Sequence, residues 1–253
     1  MTEPILSIQG LSRHFGGVHA VDNINLDVLE YETMALIGPN GAGKTTFYNM
    51  LSGRLRPSAG KILYRGRDIA GRPPHYITRL GISRSFQINN IFTDFSVRQN
   101  VEVALTALQR KAFHLFHFAS RDRKLHQEAD AVLERLNLAE YANTRAGILS
   151  YGDKRLLEMA IVLATRPRVV LLDEPTAGMT PQETHRIIDL IGELAAGREY
   201  TFLITEHDMN VVFNLSDRIC VLHRGQLLTS GTPEQIRANP EVRQAYLGEE
   251  DTP

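Results

Sequence analysis

The sequence holds a single cysteine, Cys220, so no internal disulfide can form and a reducing compartment is expected. It has no excess of either charge: 28 basic side chains face 29 acidic ones, a net charge of −1. That balance excludes the strong field of a protein held to nucleic acid or to an anionic membrane by charge. No apolar run approaches the roughly 18 residues that a membrane-spanning helix needs. The opening segment MTEPILSIQG lacks the basic stretch and apolar core of a secretory leader. The expectation is a soluble cytosolic chain whose membrane role, if any, comes through a partner. Repeats and low-complexity blocks are absent as well. The 19 glycines and 11 prolines are ordinary for 253 residues, which excludes a fibrous chain.

What is present is an ordinary globular composition, 43% hydrophobic and 23% charged, with short apolar runs alternating with helix-like stretches. This is the α/β pattern. Met34–Ile37, Val169–Leu172 and Thr201–Thr205 read as strands; the last two are continuous apolar runs, as expected of strands covered on both faces. Ile5–Ile8, Ile24–Val28 and Lys61–Tyr64 read as shorter antiparallel strands, and Ile219–Leu222 with Gln226–Thr229 as a hairpin turning at Arg224-Gly225. From Val97 to Leu138 strand signals vanish. There Val101, Ala104, Leu105 and Leu108, then Leu125, Ala129, Val132, Leu133 and Leu136, follow helical spacing. No Pro/Gly/Ser-rich linker sets this stretch apart, so it reads as a helical lobe inserted in one domain.

Gly38, Pro39, Asn40, Gly41, Ala42, Gly43, Lys44, Thr45 and Thr46 fit G-x-x-x-x-G-K-[ST] between a strand and a helix. Glycines let such a loop curl its N–H groups onto phosphate oxygens, with the helix dipole behind them. Lys44 is expected to reach the β- and γ-phosphates, and Thr45 to offer its hydroxyl to Mg²⁺. Asp173 and Glu174 close a buried strand. In isolation they read as a solvated turn or helix cap, but beside a phosphate loop they read as a metal and water site. His207 follows another buried strand and is expected at the γ-phosphate. His114 and His117 have no companion carboxylate, so a metal site there is not expected.

LSYGDKR (Leu149–Arg155), Gln87 after SRSF, the phosphate loop, LLDEP and His207 occur in an order that resembles the ATP-binding subunits of ABC transporters along nearly the whole chain. The resemblance implies a P-loop NTPase of the ABC type: an α/β nucleotide-binding core with an antiparallel β subdomain and an inserted helical subdomain. It implies one domain over 1–253, with 1–87 and 162–253 as the core and 88–161 as the helical signature lobe. It further implies that Phe15 stacks on adenine and that Mg²⁺ is held by Thr45, Asp173 and Gln87. Glu174 would polarise water, and Ser150, Tyr151, Gly152 and Asp153 would serve ATP held by a second nucleotide domain. Two positions depart from the family pattern: Tyr151 replaces the first signature glycine, and Thr180 stands where an acid is usual. Both bear on turnover and on the symmetry of the two sites.

Within the family, HFGGVHAVDNINL, the signature tyrosine, the helical insertion at 108–128 and the tail GTPEQIRANPEVRQAYLGEE resemble the importers of branched-chain and other hydrophobic amino acids. The resemblance implies ATP as cofactor, a second ABC ATPase in a homodimer or heterodimer, two transmembrane permease subunits, indirectly a solute-binding protein, and the cytoplasmic face of the inner (plasma) membrane. Urea or short-chain amide import and lipopolysaccharide export are the alternatives. A soluble relative acting on ribosomes or DNA would have two phosphate loops, heptads or a basic face, and none is present, so no nucleic-acid partner is expected. Phe113, Phe116 and Phe118 with Arg110, Lys111, Arg121, Arg123 and Lys124 read as an amphipathic packing helix. Ile88–Phe95, including Ile91 and Phe92, is the expected contact for a membrane subunit.

Overall fold

The computed structural model describes residues 3–85, 91–108 and 123–247; the side chains of 108, 246 and 247 are not among those described. Gln87, Ile88, His114, His117 and the phenylalanines of the insertion lie outside these residues, so their expected roles have no structural description.

Two sheets organise the chain. The first is antiparallel, in the order β2 (Val18–Val28), β1 (Leu6–Phe15), β4 (Ala59–Tyr64), β5 (Arg67–Asp68). Its first two strands run longer than their apolar alternation suggests. The pairing of β1 with β2 shifts register between Ile8 and Leu11, where Gly10 takes φ +58°, and this breaks the pattern without ending the strand.

The second sheet has the order β10 (Gln226–Gly231), β9 (Arg218–His223), β3 (Thr33–Ile37), β8 (Thr201–Thr205), β7 (Val169–Asp173), β6 (Ile82–Arg84). Its strands are parallel from β9 to β6, and β10 returns antiparallel at the edge. Arg224 (φ 49°) and Gly225 (φ 82°) make the tight turn between β9 and β10, the backbone signature of a two-residue hairpin. The continuous apolar runs are explained by burial on both faces. Val170 and Leu172 of β7 with Phe202 and Ile204 of β8 join one apolar cluster; Val169, Leu171 and Leu203 join another.

The first of those clusters extends into the helical lobe. Val101 and Leu105 of α3 (Val97–Leu108) pack with Leu125, Ala129 and Leu133 of α4 (Arg123–Arg135) and with α5 (Tyr151–Ala164). The second lies under α1 (Lys44–Leu51) and the antiparallel sheet, with Ile77 of α2 (Pro74–Leu80). Lobe and core therefore share one apolar cluster. Two helices follow β7 and β8: α6 (Pro181–Ala196) and α7 (Met209–Leu215). Among the described residues no helix is long and apolar enough to cross a membrane.

Candidate active site

The order β3-β8-β7 brings three loops to one edge of the sheet: the phosphate loop after β3, Asp173-Glu174 at the end of β7, and Glu206-His207 after β8. This is the carboxyl edge, where open α/β sheets bind ligands.

The phosphate loop is wedged between the two sheets. A Cβ on Gly38 would lie 2.2 Å from the Leu222 carbonyl oxygen of β9, and one on Gly43 (φ +104°) 2.3 Å from that of Ala20 in β2. Only glycine fits either place. The helix α1 begins at Gly43 with no side-chain cap and no acid in its first turn, leaving its N–H groups open toward an anion. Lys44 is buried, and its ammonium donates to the carbonyls of Gly38 and Pro39 (3.2 Å to the latter). Burial lowers its pKa from the ordinary lysine value, and the nearby Glu174 and Asp173 oppose that shift. Thr45 is exposed at the mouth of the loop. Phe15, 47% exposed, ends β1 with the Arg13 guanidinium 4.6 Å from its ring centre.

Asp173 Oδ1 accepts from Thr205 Oγ1 (2.6 Å), and its Oδ2 accepts from Arg84 Nη2 (2.5 Å). Arg84 in turn donates to Asn49 Oδ1 of α1 (2.7 Å). Glu174 sits at φ 49°, its N–H bound to the Thr205 carbonyl (2.9 Å), and His207 Nε2–H donates to Glu174 Oε1 (2.9 Å). The turn that follows is braced by Glu206, a buried carboxylate accepting from the N–H (2.8 Å) and hydroxyl (2.6 Å) of Thr176.

Arg84, Thr205 and Glu206 were not anticipated from the sequence. A charge inside the apolar stretch GISRSF, and an acid pressed between a buried strand and His207, were the available signals.

The signature lies elsewhere. Ser150 caps α5 by accepting from the Asp153 N–H (3.1 Å). Tyr151 Oη donates to the Ala177 carbonyl (2.9 Å), the Gly152 N–H to Glu183 Oε1 (3.1 Å), and Arg186 Nη1 to Asp153 Oδ1 (3.1 Å). Among the described residues no hydrogen bond of Ser150–Asp153 reaches the phosphate loop. Thr180 opens α6 in a capping box with Glu183, whose carboxyl is held below its usual range by the Thr180 N–H and hydroxyl.

For a divalent ion, the hydroxyl of Thr45 and the carboxylate of Asp173 are hard oxygen donors of the kind Mg²⁺ takes, and both retain solvent access. A separate group, His14, His19 and Asp22, clusters beside Phe15. Its two imidazoles stack with centroids 4.0 Å apart and planes inclined by 25°. In-plane lone pairs on stacked rings do not converge on one ion.

A strand, a phosphate loop, a helix, and acids at the end of a neighbouring parallel strand define a P-loop nucleotide-binding ATPase. A family description, ABC transporter, matches residues 21–177, and the chain belongs to that family as an ATP-hydrolysing cassette. A second, branched-chain amino acid ATP-binding cassette transporter, matches residues 226–252. The chain is 44% identical to the high-affinity branched-chain amino acid transport ATP-binding protein LivG of Escherichia coli K12, over 98% of this chain and 100% of that one. Identity to BraF of Pseudomonas aeruginosa, a protein of the same description, is also 44% with the same coverage. Its fold is similar to that of MJ1267, an ATP-binding cassette of an ABC transporter solved in its ADP conformation (TM-score 0.86, 28% identity, 98% and 100% of the two chains). A nucleotide-free cassette is similar too (TM-score 0.85, 29% identity, 96% and 98%).

Proposed function

We propose that the chain is the ATP-hydrolysing subunit of an importer for branched-chain or other hydrophobic amino acids. The observation that carries this reading is its 44% identity, over almost the whole of both chains, to LivG and BraF, which are named for that transport. The match at 226–252 points the same way. The chain acts as a single cassette with core 1–87 and 162–253 and helical lobe 88–161, seated on the cytoplasmic face of the inner membrane.

ATP lies with its adenine on Phe15, a stacking contact worth about 1–3 kcal/mol by analogy with base stacking. Its phosphates take backbone N–H groups of the 38–46 loop, in which Pro39 has none and that of Ala42 is bound to the Pro39 carbonyl (3.1 Å). Lys44 exchanges its bonds to the Gly38 and Pro39 carbonyls for β- and γ-phosphate oxygens. Thr45, Asp173 and Gln87 would hold Mg²⁺, which when bound neutralises charge on the phosphate oxygens. Arg84 and Thr205 fix the Asp173 carboxylate on its inner side. Glu174 takes a proton from the water that attacks the γ-phosphorus, as the bond to the ADP oxygen breaks. His207 orients Glu174 through its 2.9 Å bond and holds the γ-phosphate. Positioning and charge carry the step.

Ser150–Asp153 complete the ATP site of a second nucleotide domain, a reading supported by the absence, among the described residues, of bonds from them to their own phosphate loop. Two membrane subunits dock beside Phe92 (51% exposed) and Ile148 (77% exposed), which lie on segments joined by the Gly147 N–H and the Thr93 carbonyl (2.9 Å).

The test is purification of the chain from gently solubilised native membranes. Two dissimilar membrane subunits and a second ATPase are expected as stoichiometric companions. Export-type membrane partners, or only soluble companions, would overturn the reading.

A further inference from the structure

Tyr151 occupies a position where the family pattern has glycine, and its hydroxyl bonds the turn that begins at Glu174. We propose that Tyr151 is a positioning residue that locks the signature to that turn within one chain, so that the two ATP sites of the assembled transporter act together. The proposal rests on the reading above, in which Glu174 serves the chain's own nucleotide and Ser150–Asp153 serve that of the partner.

The bond from Tyr151 Oη to the Ala177 carbonyl is 2.9 Å long. The ring end lies against Gly178, where a Cβ would come within 3.2 Å of Oη, and the φ of +75° there favours glycine in any case. Arg155, one helical turn on, reaches the same hydroxyl (3.4 Å) and holds its guanidinium 5.6 Å from the ring centre. The hydroxyl is thus held by two partners, one on the turn and one on its own helix.

The receiving turn is stiff. The Ala177 N–H bonds the Glu174 carbonyl (3.2 Å), that of Met179 bonds the Thr176 carbonyl (3.2 Å), and Glu206 pins Thr176. A displacement of Tyr151 therefore reaches the Glu174 backbone through one carbonyl and one N–H. The other ties from the signature, Gly152 to Glu183 and Asp153 to Arg186, run to α6 and not to this turn. Thr180, without the usual charge, contributes by capping α6 and aiming Glu183 at the Gly152 N–H. Tyr151 is still 37% exposed, so part of the ring stays available to a nucleotide or a partner surface.

The test uses the complete transporter, with its partner ATPase and membrane subunits. Tyr151→Phe keeps the ring and removes the hydroxyl, and its melting temperature checks the fold. We expect the variant chain to keep its ATP-induced thermal shift. The transporter's kcat should fall several-fold with KM for ATP little changed, and the Hill coefficient for ATP should drop toward 1 from the parent value. An unchanged kcat and Hill coefficient would overturn the proposal. So would an equal loss in Arg186→Ala, which removes one of the signature's two ties to α6 without touching the turn, because the effect would then be general loosening. Failure of the underlying reading shows separately, as a Glu174→Gln transporter that still hydrolyses ATP at the parent rate.

Discussion

Arg84 Nη2 stands 2.5 Å from Asp173 Oδ2, joining the last residues of two adjacent parallel strands. The guanidinium is almost wholly buried, packed over the Tyr48 ring and bonded to Asn49, so the acid at the nucleotide site is tied to α1 through one side chain. Deleting one partner of such a pair strands the other charge.

Arg84→Met is therefore expected to lower stability by about 1.5–3 kcal/mol, read as a fall in the urea midpoint. A midpoint equal to that of the parent would show that Asp173 does not need this partner.

Lys44→Ala should abolish the thermal shift that ATP produces. For a parent saturated at a hundredfold excess over Kd, the stabilisation lost is about 2.7 kcal/mol. A retained shift would remove the phosphate loop from the binding reaction.

Glu174→Gln should bind ATP yet lose nearly all turnover, because an amide cannot accept the proton from water while its oxygen still accepts from His207. Measured ATP hydrolysis near the parent rate would dismiss Glu174 as the base.

Glu158 supplies a prediction about pH. Its carboxyl, buried on α5 and 3.1 Å from Arg155, is pushed up to about 7 by burial, with Arg155 opposing the shift. Between the ordinary carboxylate value of 4.5 and about 7, the folded chain keeps a proton that the unfolded chain has released. Stability from this group is thus full below that window and is lost as pH rises through it. Urea unfolding at acid and at mildly alkaline pH should show the parent losing on the order of 2 kcal/mol more than Glu158→Gln. Parallel profiles would contradict the assignment.

The phosphate loop and the buried strands were legible because their patterns are local. A phosphate loop needs its glycines and lysine at fixed spacing, and strands buried on both faces must be apolar throughout, as Val169–Leu172 and Thr201–Thr205 are. The turn at Arg224-Gly225 was equally plain. Strand β6 was not, because three residues carry too little pattern, and with it went Arg84. Glu206 is hidden for a related reason: beside His207 it looks like one more polar loop residue, and only burial shows it bracing Thr176.

The sequence by itself determined that this chain binds a nucleoside triphosphate on a P-loop, because that loop's backbone conformation is set by contiguous residues. It also placed Asp173 and Glu174 at the end of a buried strand. The tertiary structure alone decided which strands neighbour one another, and hence that Arg84 faces Asp173, that His207 meets Glu174, and that Tyr151 reaches Ala177. Those contacts join residues 89, 33 and 26 positions apart. Across such separations only the packing of strands and helices, and no local spacing rule, sets the distance between two side chains.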